Sequence, residues 1–224
     1  MIGRPREFDL DEALDTALTV FWSKGYEATS MMDLVEAIGA NKPSLYSVFG
    51  SKEGLFFKVL ERYQSRLGAF AAPELQRSSA RQGLEAFLRA LATFQSGPKT
   101  PAGCLLVQGA LAGSQEAQGV YKVLCEARET GVQMIRAVLE RAQQQRELPP
   151  GTDLDALARY FGTVSNGISV QAASGVPTEV LLGTIGIAMR AWPEARRRRV
   201  ARRGRREQAP PVRVKKRARP VKNV

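Results

Sequence analysis

Apolar side chains recur at intervals of three and four residues along most of this 224-residue chain, which is the spacing of one face of a helix. Gly and Pro interrupt the pattern repeatedly, and no stretch alternates in the manner of a strand. The pattern therefore predicts an all-α protein of about nine helices without internal repeats. We place these helices at residues 10–24, 31–38, 42–49, 52–70, 84–96, 104–107, 116–145, 154–173 and 179–192. Residues 71–79 are predicted to be a loop, and Thr178 is predicted to cap the last helix.

The second and third predicted helices are short and carry clear end signals. Ser30 is suited to cap the second helix, with Asp33 placed to accept from its free first-turn amides, and Gly39 supplies a left-handed stop. Asn41 caps the third helix, whose first turn tolerates Pro43. Two short helices joined by a glycine-containing turn predict a helix-turn-helix.

The third predicted helix has an apolar face and a polar face. The apolar face consists of Leu45, Val48 and Phe49, and the opposite face carries Lys42, Ser44, Tyr46 and Ser47. A helix of this kind can enter the major groove of DNA. The same geometry also occurs in helical bundles that never bind DNA, so the spacing alone leaves both interpretations open.

Residues 25–56, GYEATSMMDLVEAIGANKPSLYSVFGSKEGLF, closely resemble the amino-terminal domain of the TetR/AcrR (tetracycline-repressor) family of transcriptional regulators. The resemblance is carried by Gly25-Tyr26, Thr29-Ser30, Ile38-Gly39, Ser44-Leu45-Tyr46, Phe49 and Ser51-Lys52-Glu53. It implies a three-helix head that binds DNA and a helical effector domain. We accordingly divide the chain into a DNA-binding domain at 1–52, a ligand-binding and dimerisation domain at 53–193, and a disordered basic tail at 194–224.

The candidates for DNA contact fall into three groups. The start of the third helix would read base edges through Asn41, Lys42, Pro43, Ser44 and Ser47, although Pro43 brings no hydrogen-bond donor. By resemblance to the family, Tyr46, Lys52 and Thr29 contact phosphates. Arg4 and Arg6 either reach a minor groove or the phosphates, or form a loose arm. A dimer would read a palindromic operator with its heads about one DNA turn apart.

The net charge of +11 does not come from the predicted helices. Residues 196–224 contain 14 Lys or Arg and one acidic residue, which leaves 19 basic and 21 acidic residues in 1–195. The tail is thus +13 and the remainder −2. A segment so charged and so poor in large apolar residues is predicted to be disordered. It is either a solvated appendage or a non-specific, salt-sensitive DNA tether.

The composition argues against an enzyme. Histidine is absent, which removes the commonest general base and metal ligand, and no phosphate-binding glycine loop or CxxC motif occurs. We therefore expect neither a metal nor a cofactor. Two cysteines, no secretion signal and no long apolar run predict a cytoplasmic protein, associated with the nucleoid and not with a membrane.

The sequence says less about the ligand-binding domain. A small-molecule cavity is a candidate, lined by Phe70, Phe87, Phe94, Cys104, Leu106, Tyr121, Met134 or Tyr160, but each of these is equally suited to a plain core. Cys104 follows Pro101-Ala102-Gly103 and precedes an apolar run, so we expect it at a helix N-terminus, which would lower the pKa of its thiol. Cys104 is thus a candidate electrophile sensor, or else a buried apolar side chain.

The last two predicted helices are nearly free of charge. Between residues 160 and 189 the only charged residue is Glu179. They either fill the monomer core or also form a four-helix homodimer interface, as the family resemblance implies. The function predicted is a sequence-specific DNA-binding regulator, a repressor whose dimer leaves its operator on binding a small effector or on cysteine modification. The alternative is a weakly specific architectural DNA-binding protein driven by its tail.

Overall fold

A computed structural model describes residues 8–108, 114 and 117–194. Within these residues there are nine α-helices and no strand, which confirms the all-α prediction. The helices are α1 (Leu10–Lys24), α2 (Met31–Ile38), α3 (Lys42–Phe49), α4 (Lys52–Ala71), α5 (Ala80–Ser96), α6 (Leu105–Gln108), α7 (Gln118–Gln144), α8 (Leu154–Ala173) and α9 (Thr178–Ala188). The predicted tail and the basic arm lie outside the described residues.

Local capping explains where α2 and α3 begin and end. The Ser30 hydroxyl accepts from the Asp33 amide at 3.1 Å, and the Asp33 carboxylate accepts from the Ser30 amide at 2.7 Å, which forms a capping box. Gly39 ends α2 in the left-handed conformation. Asn41 accepts from the Ser44 amide at 2.9 Å and starts α3. The predicted bounds of both helices are therefore confirmed.

The first hydrophobic cluster joins the head to more distant chain. Phe21 and Trp22 of α1 pack against α4, with Phe21 and Phe56 rings 5.1 Å apart and Trp22 and Tyr63 rings 4.8 Å apart. The same cluster includes Leu105 of α6 and Leu124 of α7. The core beneath the helix-turn-helix is thus completed by residues far along the sequence.

A second cluster holds the rest of the molecule together. It consists of buried side chains from α5, α7, α8 and α9, among them Leu84, Leu139, Phe161 and Ile185. Helices α7 and α8 approach closely where Gly162 faces Val132, since a Cβ on Gly162 would lie 2.8 Å from a Val132 methyl group. Helix α4 extends from the first cluster to the edge of the second cluster, where it contacts α5.

Three local predictions are wrong. Residues Ala72–Gln76, expected as loop, form a 3-10 helix that buries Leu75. Thr178 does not cap α9; Pro177 occupies that position, and the Thr178 hydroxyl instead pairs with Ser96 at 2.7 Å. Val48 was expected on the apolar face of α3, but it is exposed. Leu45 is the one fully buried residue of that helix.

Candidate nucleic-acid interface and effector cavity

The polar face of α3 lies at the surface, as an interface with DNA would require. Lys42, Pro43 and Ser47 are exposed, Ser44 is half-buried, and Tyr46 is 40% exposed. The Lys42 ammonium lies 5.8 Å from the centroid of the Tyr46 ring. The Asn41 side-chain oxygen is engaged in the α3 cap, so its side chain has a structural role in addition to any contact with a base.

Thr29 is not placed as a phosphate ligand in this structure. Its side chain is completely buried, and its hydroxyl donates to the Gly25 carbonyl at 2.6 Å. The Thr29 amide donates to the Tyr26 carbonyl at 3.3 Å. These bonds shape the turn between α1 and α2, which leaves the Thr29 side chain without a group to offer the solvent.

Lys52 is also tied to this turn. Its ammonium donates to the Tyr26 carbonyl at 3.1 Å and to the Thr29 carbonyl at 3.0 Å, and it lies 4.2 Å from the Tyr26 ring centroid. The side chain is half-buried. Because an ammonium has three donors, one remains for another partner. Lys52 therefore fastens the start of α4 to the turn that precedes α2.

Arg4 and Arg6 lie outside the described residues. Met32, in the first turn of α2, is 62% exposed and was not predicted as a contact. The sequence does contain a signal for Met32. It directly follows Met31, at a position on the solvent-facing side of α2 where a polar residue would be usual.

An apolar cavity of about 280 Å³ lies among α4, α5, α6, α7 and α8. It brings together four of the predicted effector residues, Phe87, Cys104, Leu106 and Met134. Four others are elsewhere. Phe70 and Phe94 pair with each other at 4.6 Å between ring centroids, Phe94 also meets Trp22, and Tyr121 and Tyr160 are exposed. These four residues do not line this cavity, and the sequence does not indicate which face of a helix meets it.

Cys104 has a buried environment, which is the second of its two predicted alternatives. It directly precedes α6, as predicted, but it is buried, and burial raises the pKa of its thiol. The hydrogen bond from the Tyr63 hydroxyl at 3.2 Å and the backbone amides of α6 act in the opposite direction without outweighing burial. Burial at this position thus disfavours the thiolate form of Cys104.

Two hydrogen bonds connect the head to the segment between α5 and α7, and α7 itself begins close to α4. The Glu27 carboxylate accepts from the Ser114 amide at 2.7 Å, and this bond lowers the pKa of Glu27. The Trp22 indole donates to the Gly103 carbonyl at 3.2 Å. A Cβ on Gly119 would lie 2.6 Å from the Glu53 carboxylate, so α7 begins directly against α4.

Neither a metal centre nor a membrane span is present in the described part of the chain. No group of three or more acidic or cysteine side chains there is arranged to hold a metal ion. None of its helices is long and apolar enough to cross a membrane.

A helix-turn-helix with an exposed polar second helix, built onto a helical body that contains an apolar cavity, is typical of DNA-binding transcriptional regulators. The family models agree. Residues 13–59 match that of the bacterial regulatory proteins of the tetR family, and residues 80–174 match that of the tetracyclin repressor-like C-terminal domain. The chain belongs to the TetR family, which confirms the resemblance seen in residues 25–56.

Similar proteins include two repressors of Escherichia coli K12. The HTH-type transcriptional repressor ComR is 37% identical over 194 residues, which cover 86% of this chain and 92% of ComR. BdcR is 31% identical over 190 residues, 83% of this chain and 90% of BdcR. The solved structure of a cysteine mutant of the TetR-family regulator CifR, complexed with 26-bp double-strand operator DNA, is 40% identical and superposes with a TM-score of 0.83, covering 85% of this chain and all of CifR.

Proposed function

We propose that this protein is a homodimeric repressor that binds a palindromic DNA operator and leaves it when a small molecule enters the cavity. The observation that carries the proposal is the exposed polar face of α3 on a head whose turn and core are fixed by hydrogen bonds and buried aromatic rings. Two observations on similar proteins support it: ComR and BdcR are named as transcriptional repressors, and the CifR mutant was solved in complex with operator DNA.

In the complex, α3 would lie in the major groove with its first turn leading. Lys42, Ser44 and Ser47 would reach base edges, and Tyr46 would bind a phosphate through its hydroxyl. Met32 would lie against the DNA beside α3. The Lys52 ammonium keeps one N–H donor for a phosphate, so binding of DNA by Lys52 would be secondary to its structural role in the head.

A homodimer would form through α8 and α9. Val180 is 56% exposed and Ile187 is 64% exposed, and Tyr160 and Val170 add to the apolar surface of the same two helices. Large apolar side chains at such density are typical of an interface. Within the division proposed above, residues 53–193 thus carry both the effector cavity and the dimer contact, while the head carries the DNA contact.

Release from the operator would follow a path from the cavity to the head. Leu106 and Val107 of α6 line the cavity, and the segment after α6 reaches Ser114, which binds Glu27 in the head. A ligand that displaces α6 would alter this contact and the spacing of the two heads. Modification of Cys104 is a second route, which requires the cavity to open because the thiol is buried.

The test is operator selection. The purified full-length protein is titrated into labelled DNA from upstream of its own gene, with excess bulk DNA as competitor. A repressor should retain one short palindrome, and Tyr46→Phe should weaken that binding about tenfold, since one charge-assisted hydrogen bond is lost. If bulk DNA competes equally, the protein is a weakly specific architectural binder, and deletion of residues 196–224 should then abolish binding.

A further inference from the structure

The effector cavity contains one charged side chain among its described lining residues. That side chain is Arg128, on α7; every other described lining residue is apolar or neutral. Much of the wall is hydrocarbon, contributed by Leu67, Phe87, Leu91 and Ile135. A single positive charge beside an apolar chamber is an arrangement that selects a ligand by charge as well as by shape.

Arg128 has no carboxylate partner among the described residues. Its Nη1 donates to the Leu106 carbonyl at 2.7 Å, and its Nη2 donates to the Cys125 sulfur at 3.2 Å. Among the other half-buried arginines of the described chain, Arg62, Arg89 and Arg136 each pair with an acidic side chain. Arg141 has only carbonyl partners, but it does not line the cavity. The guanidinium has five N–H donors, so three remain unused.

The absence of a protein counter-charge is informative about the ligand. Arg128 is only partly buried, and a carboxylate would pair with its guanidinium through two parallel hydrogen bonds. The bond to the Leu106 carbonyl also fixes the guanidinium against α6, whose Leu106 and Val107 form part of the cavity wall. An anion bound to Arg128 would therefore contact the helix that leads toward the head.

A second polar group lies in the wall. Gln95 is only 2% exposed, and one end of its amide is held by the Ser169 hydroxyl at 2.8 Å. Ser165 and Asn166 add further neutral polar side chains to the same wall. The cavity is thus prepared for a molecule with polar atoms and not for a pure hydrocarbon.

The volume limits the size of that molecule. A cavity of about 280 Å³ holds about nine or ten non-hydrogen atoms if each takes a share of space similar to that of a water molecule, roughly 30 Å³. A larger ligand would have to displace the side chains at the rim, such as Met134, which is part of the lining and is also exposed.

We propose that the effector is a small amphipathic monocarboxylate of about ten non-hydrogen atoms, with its carboxylate on the Arg128 guanidinium and its hydrocarbon body against Phe87, Leu91 and Ile135. The inference rests on the proposed function, because it names the ligand that would release the operator. Octanoate and phenylacetate have the same number of non-hydrogen atoms, so a comparison of the two distinguishes an aliphatic ligand from an aromatic one. Octanamide has the length of octanoate without its charge.

The experiment measures binding of these three compounds to the full-length protein by calorimetry, and release of labelled operator DNA by anisotropy. At least one carboxylate should bind about tenfold or more tightly than octanamide and should release the DNA at matching concentrations. Arg128→Met should lose that preference, and Arg128→Lys should keep part of it. Lys122→Met, which removes an exposed positive charge from the same helix, should bind as the wild type does.

Each alternative result has a defined meaning. Equal affinity for octanoate and octanamide, no binding of either carboxylate, or full carboxylate binding by an Arg128→Met protein overturns the inference. If Arg128→Met does not fold, the test rests on the affinity of the wild-type protein for the carboxylates relative to octanamide. Operator binding without any effect of the carboxylates refutes the ligand class and leaves the repressor proposal standing. Failure of the wild-type protein to bind any operator refutes the proposed function itself.

Discussion

The substitution Lys52→Met distinguishes a structural role of Lys52 from a phosphate contact. The variant keeps the length of the side chain and removes two hydrogen bonds from a charged donor, to the Tyr26 and Thr29 carbonyls, together with the contact over the Tyr26 ring. A hydrogen bond to a charged group contributes about 1.5–3 kcal/mol and a cation–π contact about 0.5–1 kcal/mol. Since Lys52 is only half-buried, we expect a net loss of about 2 kcal/mol.

The assay is thermal and denaturant unfolding of the full-length protein. For a protein of this size, about 2 kcal/mol corresponds to a fall in Tm of about 4–8 °C. Lys58→Met is the matched control because it lies six residues further along α4, with its ammonium on the surface in an ion pair with Glu61 at 3.0 Å. Surface pairs of this type contribute little, so its Tm should change by no more than about 2 °C.

An unchanged Tm for Lys52→Met would refute the structural argument. If the same variant also lost DNA affinity, with a decrease of about one in the slope of log K against log salt, the side chain would instead be a phosphate ligand. A fall in stability with little change in the salt slope is the result expected from the geometry.

Three other predictions concern the caps, the thiols and the surface of the body. Ser30→Ala should cost about 1 kcal/mol in denaturant unfolding through loss of the capping box, whereas Ser23→Ala, on the exposed side of α1, should stay within about 0.5 kcal/mol. Alkylation followed by mass spectrometry should label Cys125 before Cys104 at neutral pH, and equal rates would contradict the burial argument. Because the folded pKa of the Cys104 thiol is raised, its contribution to stability is complete below the unfolded pKa and is lost as the pH rises through the folded pKa. Ile187→Glu should convert a dimer to a monomer in sedimentation analysis; a persistent dimer would place the interface elsewhere.

Features set by neighbouring residues could be predicted from the sequence. Ser30, Gly39 and Asn41 determine the ends of α2 and α3 through bonds that span three or four residues, and the structure has those ends where the sequence places them. The same reasoning was wrong for Thr178, because its hydroxyl has a partner 82 residues away on α5. A cap residue is predictable only when no distant group competes for it.

The chemistry of individual side chains was harder to predict for the same reason. Cys104 does precede a helix, but the sequence left a reactive thiol and a buried side chain both open. Its burial, which raises the pKa of the thiol, depends on the packing of distant residues such as Tyr63 and Leu124. Thr29 and Lys52 match a family pattern, yet the bonds they make are to carbonyls within the head. The position of Arg128 in the cavity wall depends on how α6 and α7 pack, which periodicity does not specify.

The shared core of the head has a consequence for protein engineering. The helix-turn-helix rests on a cluster that Leu105 and Leu124 help to fill, and Trp22 donates to the Gly103 carbonyl. A chimera that grafts residues 1–52 onto the body of another regulator would expose the aromatic side chains of α1 unless the new body offers a matching surface. Domain exchange should therefore succeed only when α4 as far as Tyr63 and the segment from 103 to 124 are transferred with residues 1–52, as one unit assembled from two separate stretches of chain.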